Sequence, residues 1–374
     1  MSSQNRIAVH EPDLGEEEIA SVVAALRRGE ISGSFGKALP EFEERFAAFC
    51  GCKYGVAVTS GTTALQLAVA AAGIGQGDEV LMSASTNIAT ALAAYWNNAI
   101  SVPVDSEPVT WNLDPELIEG LIGPRTRAII PVHLFGHPCD MDKLMAVARK
   151  HDLIVIEDCA ESHGAAWHGR RTGSFGDMAC FSFYANKIIT TGEGGMVVTN
   201  DAALAEKLRL LRNLAFGKPR FYHTVPGFNF RMTGYQAAMG LAQLAKIEHF
   251  VGEKRRIAST YNRLLADVSG LQLPVELSGA LNVYWMYALV VEPEFGLSRD
   301  ELAGKLLEQG IETRTFFCPM NLQPFLRQQP GFRDVACPVA ERIWQSGFYL
   351  PSANTLDEAT IARVCDAIRH ASGR

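Results

Sequence analysis

No window of this chain reaches the roughly 18 uninterrupted apolar residues that a membrane-spanning helix needs. Its first residues, MSSQNRIAVHEPDLGEEE, also lack the apolar core of a secretion signal. These two absences predict an unexported protein with no membrane partner. The eight cysteines are scattered and contain no CxxC pair, so neither a disulfide framework nor a zinc knuckle is indicated. A reducing, cytoplasmic setting follows as the expectation, with no metal site. Positive charge is not in excess: the formal net charge is −7, which gives no general pull toward nucleic acid. Three sequence signatures are missing as well. There is no GxxxxGK[ST] phosphate loop, no GxGxxG turn opening a helix, and no GxSxG nucleophile elbow, so P-loop, nicotinamide and serine-hydrolase chemistry have no support.

What is present is a composition of 48% hydrophobic and 20% charged residues in 374, enough to bury a large core. Short β-branched runs alternate with alanine- and leucine-rich segments from about residue 40 to 215. Strands are predicted at 55–60, 79–85, 99–105, 128–136, 153–158, 179–184 and 195–200, with helices at 62–73 and 140–152. That alternation predicts an α/β fold built on a mostly parallel sheet. The chain beyond Gln243 reads differently, as a long polar-faced helix at 246–267, an isolated strand at 284–291, a helix from Ser298 and a closing helix from Leu356. The expectation is a large domain over residues 1–245, including the N-terminal segment, and a smaller C-terminal α+β domain over 246–374.

Three stretches carry chemistry. In FSFYANKIITTGEGG (181–195), Lys187 stands between an aromatic run and three glycines. A lysine held partly out of water beside an aldehyde cofactor becomes a Schiff-base nucleophile, and the glycines alongside would leave it clearance, although most lysines are solvated charges and the glycines could serve only a turn. In LIVIED (153–158), an apolar run ends in two carboxylates at the expected carboxyl edge of the sheet, where open α/β folds bind ligands. Asp158 there could hold a pyridine nitrogen protonated, or simply cap the next segment. In VTSGTTALQLA (58–68), small hydroxyl residues lead straight into a helix, and the N–H groups of such a turn bind phosphate. Each signal is modest alone. Together they describe a pyridoxal 5′-phosphate site. The spaced histidines His133 and His137, and His163 and His168, share no helix face and read as satisfied or exposed side chains.

The blocks ISGSFGKALPEFEERFAAFCG, SGTTALQLA, IIPVHLFGHPCDMD, VIEDCAESHGA, GDMACFSFYANKIITTGEGG, GFNFRMTGYQAAMGLAQL and GIETRTFF occur in an order that resembles the DegT/DnrJ/EryC1/StrS sugar aminotransferases. The resemblance spans nearly the whole chain and implies the aspartate aminotransferase-like fold. Within the family the lysine block is most similar to that of the GDP-perosamine synthases. On this resemblance Lys187 would bond to the cofactor and move the proton, Asp158 would pair with the pyridine nitrogen, and Glu161 would lie near the ring hydroxyl. Gly61, Thr62 and Ser182 would hold the phosphate. Asn229 would reach the phosphate of a neighbouring subunit, which implies a homodimer with active sites at the interface. L-glutamate would give its amine to a keto or aldehyde sugar, most simply GDP-4-keto-6-deoxymannose, for O-antigen or lipopolysaccharide synthesis.

Two positions depart from the family pattern. Asn87 stands where an aromatic residue usually covers the cofactor ring, and FFCPMNLQP has Cys318 and Asn321 where the block often reads HxPxH. Both fall where the sugar is recognised, and they admit another acceptor such as an 8-oxo-3-deoxy-octulosonate. Trp285, Tyr287, Arg231 and Arg314 are candidate sugar or nucleotide contacts, with strand-core packing the alternative for the two aromatics. A sugar dehydratase on the same scaffold would carry histidine in place of Lys187. A non-catalytic homologue would not need the lysine, the aspartate and the cradle together.

Overall fold

The computed structural model describes residues 6–372. Seven strands, β1 (Tyr54–Val58), β2 (Glu79–Ser83), β3 (Ile100–Val104), β4 (Thr126–Ile130), β5 (Ile154–Asp158), β6 (Met178–Ser182) and β7 (Gly195–Thr199), form one sheet. Their spatial order is β1-β7-β6-β5-β4-β2-β3. The pairs β2–β3, β2–β4, β4–β5 and β5–β6 are parallel, and only β7 runs against its neighbours β1 and β6. Strands β2, β3, β6 and β7 are buried at every position, as expected of a sheet covered by helices on both faces. Each predicted strand is present, and all but the one ending at Asp158 stop short of the predicted C-terminal end, by up to six residues, because the chain there leaves the ladder to build loops. The 128–136 run shows this most clearly: it stops pairing at Ile130, and Leu134–Gly136 coil into a short turn.

Helix termini follow local chemistry. Ser60 caps the helix Gly61–Ala71 by accepting the Thr63 N–H, and Asp140 caps Met141–Lys150 by accepting that of Lys143. Ser298 and Asp357 do the same for Arg299–Glu308 and Glu358–Ala371.

The 284–291 run is a correction. It is not isolated, and only Tyr287–Val291 is strand, paired with Leu271–Gln272 on one side and Gly347–Leu350 on the other, with Arg314–Thr315 beyond. Partners of two to four residues are too short to show an alternating pattern. Before it the chain turns at Tyr284, whose φ of 47° ends any extended run. We propose the division into two domains at 245/246, in the break between the helices Gly234–Ala245 and Ile247–Leu265. The N-terminal segment runs with the C-terminal part: Ile7 bridges to Ile311, and Ser352 donates to the Val9 carbonyl at 2.8 Å.

Candidate functional site

A cavity of about 280 Å³ opens at the carboxyl ends of the parallel strands. Eight of the sequence-predicted residues line it: Gly61, Thr62, Asn87, Asp158, Glu161, Ser182, Lys187 and Trp285. They come from the turn after β1, the loop after β2, the ends of β5 and β6, and the C-terminal part of the chain. The edge of the sheet that the sequence pointed to is where the structure gathers them.

Lys187 is held from both sides. Phe183 before it and Ile188 and Ile189 after it are buried. Phe183 sits in an aromatic cluster with Phe46, ring centroids 5.0 Å apart at 88°, a pairing worth ~0.5–1.5 kcal/mol beyond its burial. The loop is closed by hydrogen bonds from Thr191 N–H to the Phe183 carbonyl (3.0 Å) and from Lys187 N–H to that of Tyr184 (2.9 Å). The side chain ends with Nζ 4.0 Å from the centre of the Trp285 ring. Lys187 is only half-buried by surface, but the surface it exposes is cavity wall. Burial holds its amine below the usual lysine range, against the opposing pull of Glu161 and Asp158.

Asp158 is buried at the end of β5. Its Oδ2 accepts from the Thr90 hydroxyl at 2.8 Å and its Oδ1 from the Ala160 N–H at 3.1 Å. Thr90 is itself oriented by Thr86, hydroxyl to hydroxyl, at 2.9 Å. Burial pushes the Asp158 carboxyl up from its ordinary value, while the two donors and Lys187 pull it down. Glu161 is also buried, with Oε2 accepting from the Phe135 N–H at 2.8 Å. Burial pushes its carboxyl up to about 7, opposed mainly by Lys187. One amine and two carboxylates share a small volume, each displaced toward its neutral form.

The hydroxyl cradle depends on glycine. At Gly61 a Cβ would lie 2.6 Å from the Ser182 Cβ, and at Gly195 it would lie 2.3 Å from the Ser60 carbonyl oxygen. Bare backbone at both positions lets the helix N-terminus sit against β6 and β7, which brings Ser60, Thr62 and Ser182 to one wall. The Ser60 side chain takes the Thr63 N–H at 3.1 Å, and among the described residues nothing takes those of Gly61 and Thr62. These donors, with a buried acid and an amine across the cavity, could hold a phosphorylated pyridine aldehyde. The glycines after Lys187 do not give it clearance: Gly192 makes a left-handed turn with φ 77°, and Gly194 and Gly195 pack against Met232, Thr191 and Ser60.

The remaining candidates lie off the cavity. Asn229 is exposed on a segment bridged to Asn213. Arg231 donates to the Asn213 side chain at 2.9 Å, Arg314 is exposed on its short strand, and Cys318 is half-buried beside Pro319. Tyr287 belongs to the core, stacked on Tyr261 with centroids 4.5 Å apart and its hydroxyl donating to Asn262. Thr86, Phe317 and Tyr349 on the cavity wall, and Thr90 behind Asp158, are neighbours that sequence reasoning missed, since nothing local marks a residue that reaches the site from another element. His133, Glu157 and Cys159 cluster within metal-binding reach. Yet Glu157 already accepts three backbone N–H groups at 2.8 Å, and His133 bridges it to the Cys139 N–H, so the cluster ties loops together. No described helix is long and apolar enough to cross a membrane.

Comparison with known proteins matches residues 12–369 to the DegT/DnrJ/EryC1/StrS aminotransferase family. The chain is 43% identical to the GDP-perosamine synthase of Caulobacter vibrioides, over 98% of this chain and 99% of that protein. It is 39% identical to the dTDP-3-amino-3,4,6-trideoxy-alpha-D-glucose transaminase of Streptomyces venezuelae, over 95% and 93% of the two. The crystal structure of DesI in the presence of its TDP-sugar product superposes with a TM-score of 0.91 at 33% identity, covering 99% of this chain and 94% of that one. The fold is therefore the aspartate aminotransferase-like one (fold-type I), and at this depth and length of similarity the chain belongs to the DegT/DnrJ/EryC1/StrS family of pyridoxal-phosphate-dependent sugar aminotransferases.

Proposed function

We propose that the chain transfers the amine of L-glutamate to the carbonyl of a nucleotide-linked 4-keto-6-deoxy sugar, most simply GDP-4-keto-6-deoxymannose. The observation that carries the reading is one cavity holding Lys187, Asp158 and the Ser60–Thr62 turn together. When bound, pyridoxal phosphate supplies the electron sink for the carbon that loses its proton and carries the amine between the two substrates. The protein's part is binding, orientation and proton control. The Gly61 and Thr62 N–H groups, with the hydroxyls of Thr62 and Ser182, receive the phosphate at a helix N-terminus. Asp158 would hold the ring nitrogen protonated, and that cationic partner would offset the cost of burying its carboxylate. Glu161 would be the residue for the ring hydroxyl. Lys187 Nζ, less basic than an exposed lysine, would take a proton from the donor carbon and hand it on within the first half-reaction, and in the second would give a proton to the carbon that accepts the amine.

The active unit in this reading is a homodimer. Asn229 is exposed and away from its own cavity, in the same stretch as the exposed Phe221 and Tyr222, which suits a segment that reaches a second copy. The guanosine-linked acceptor is favoured by the 43% identity to a GDP-perosamine synthase. Asn87 on the cavity wall, in place of an aromatic residue, leaves an octulosonate as the alternative acceptor. The test is incubation with L-glutamate and a panel of GDP- and dTDP-linked keto sugars and the 8-oxo octulosonate, read by mass spectrometry. Amination of the GDP-linked sugar is expected, and its absence alongside amination of another acceptor would reassign the substrate.

A further inference from the structure

One cross-strand row of the C-terminal sheet passes the cavity, with Tyr349 on its wall. Arg314 and Ala288 are both direct cross-strand partners of Tyr349. Directly opposed residues of antiparallel strands leave the same face of the sheet. Ala288 is buried in the core, Tyr349 is 9% exposed and lines the cavity, and Arg314 is exposed, so the row runs from the core past the cavity wall to solvent. The Tyr349 ring packs against Trp285 and Phe135, with centroids 6.2 and 5.9 Å away. That packing sets the direction of its phenol. Among the described residues the Tyr349 hydroxyl makes no hydrogen bond, and it lies near enough to Glu161 and Arg314 to feel both charges. Burial, reinforced by Glu161, pushes the phenol up to about 12, so it remains a donor at neutral pH. Arg314 donates from one Nη to the Thr313 carbonyl at 3.0 Å, and its nearest carboxylate, Glu312 at 3.9 Å, is already held by Arg6 and the Val9 N–H.

We propose that Tyr349 and Arg314 form the seat for a carboxylate of the amino donor, Tyr349 giving a hydrogen bond inside the cavity and Arg314 positive charge at its rim. The inference rests on the transaminase reading above. The charged groups of the lining itself are the acids Asp158, Glu161 and Glu193 and the amine of Lys187, which is needed for the proton, so the row is where an incoming carboxylate meets a donor with a second positive charge close by. An anion here has two sources, the amino acid or the diphosphate of the nucleotide sugar. In an amino acid the carboxylate is one bond from the carbon bearing the amine and must bind beside Lys187, where the Trp285 ring connects Lys187 to Tyr349. A diphosphate is separated from the reacting carbon by a sugar ring and so lies further from Lys187 than a carboxylate one bond away.

Two measurements test the seat. Glutarate, a dicarboxylate with no amine to transfer, is titrated calorimetrically into the cofactor-loaded protein. The two half-reactions are followed separately by cofactor absorbance, one started with L-glutamate and the other, on the amine-loaded form, with the carbonyl sugar. Tyr349→Phe and Arg314→Met are each expected to weaken glutarate binding and raise the glutamate KM about 10-fold, the size of one hydrogen bond to a charged group. Arg314→Lys should recover part of that loss, and the sugar KM should stay unchanged. Unaltered glutarate affinity in both variants would overturn the proposal, as would a rise confined to the sugar KM, which would give the row to the diphosphate. Wild-type absorbance that ignores glutamate would instead defeat the transaminase reading, while the glutarate titration still reports on the seat.

Discussion

The Lys187 ammonium rests on the face of Trp285, 4.0 Å from the ring centre, and the indole N–H is locked to the Asn186 carbonyl at 2.6 Å. Trp285 is itself 2% exposed and stacked at 10° on Phe135, so the surface under the amine is rigid. A ring face stabilises the charged amine by ~0.5–2 kcal/mol, in opposition to burial. The amine is therefore balanced between a desolvating pocket that favours the neutral form and a ring and two carboxylates that favour the charged one.

Trp285→Leu should tip that balance and lower the Lys187 pKa further. The measurement is the pH dependence of acetylation at Lys187 in cofactor-free protein, quantified by peptide mass spectrometry. The profile of the variant should move to lower pH than that of wild type. A move to higher pH would mean that the indole's contribution is mainly desolvation.

Lys187→Ala removes the only lysine on the cavity wall among the described residues. Turnover should vanish, while added pyridoxal phosphate still binds through the Ser60–Thr62 turn and Asp158. Equilibrium dialysis of the cofactor, beside the absorbance of the mixture, separates the two effects. A variant that turns over normally would remove Lys187 from the mechanism.

Asp158→Asn keeps a similar shape and the Thr90 contact but takes away the charge. If Asp158 holds the ring nitrogen protonated, kcat should fall by ~10²–10³, the range for removing one positioned electrostatic group. Cofactor content, measured by release in alkali, should drop far less. A nearly silent substitution would show that the carboxylate serves only as the strand-end cap seen in its bond to the Ala160 N–H.

Asp158 was legible from sequence because it ends a strand whose apolar run is long enough to recognise, and Lys187 because it stands in the loop directly after another such strand, Met178–Ser182. Ser60 was legible because a hydroxyl before a helix has few uses besides capping and ligand binding. Thr90, which fixes the Asp158 carboxylate, was not: it comes from the helix Ala89–Tyr95, 68 positions earlier, and nothing in that helix marks the pairing. Tyr349 was hidden for a different reason, since it lies on a four-residue strand whose partners are only two and five residues long. The three glycines after Lys187 misled, because sequence shows that a side chain is missing and not what occupies its place.

Gly195→Ala should show what that place holds. The new Cβ would meet the Ser60 carbonyl oxygen at 2.3 Å, so either the helix N-terminus or β7 must shift. Overpacking of this kind costs ~1–3 kcal/mol. Thermal unfolding should report the loss in the apo-protein, and the stabilisation gained on adding pyridoxal phosphate should also shrink, because the displaced turn is the one that receives the phosphate. Loss of stability with the cofactor increment intact would separate the packing from the cradle.

Glu161 makes stability depend on pH in a direction opposite to an ordinary salt-bridged carboxylate. Its folded value is raised from 4.5 to about 7. Between those limits the unfolded chain has lost the proton and the folded protein retains it, so the folded state binds more protons and stability falls as pH rises. Below the window both states are protonated and there is no penalty. Above it both are ionised and the penalty is complete, up to about 3 kcal/mol from a shift of this size. Glu161→Gln keeps an oxygen for the Phe135 N–H but cannot ionise. Urea unfolding of cofactor-free protein at about pH 5 and about pH 8 should therefore show the glutamine variant gaining on wild type as pH increases. If the difference between the two proteins is the same at both pH values, Glu161 titrates normally and the cavity is wetter than its enclosed carboxylates suggest.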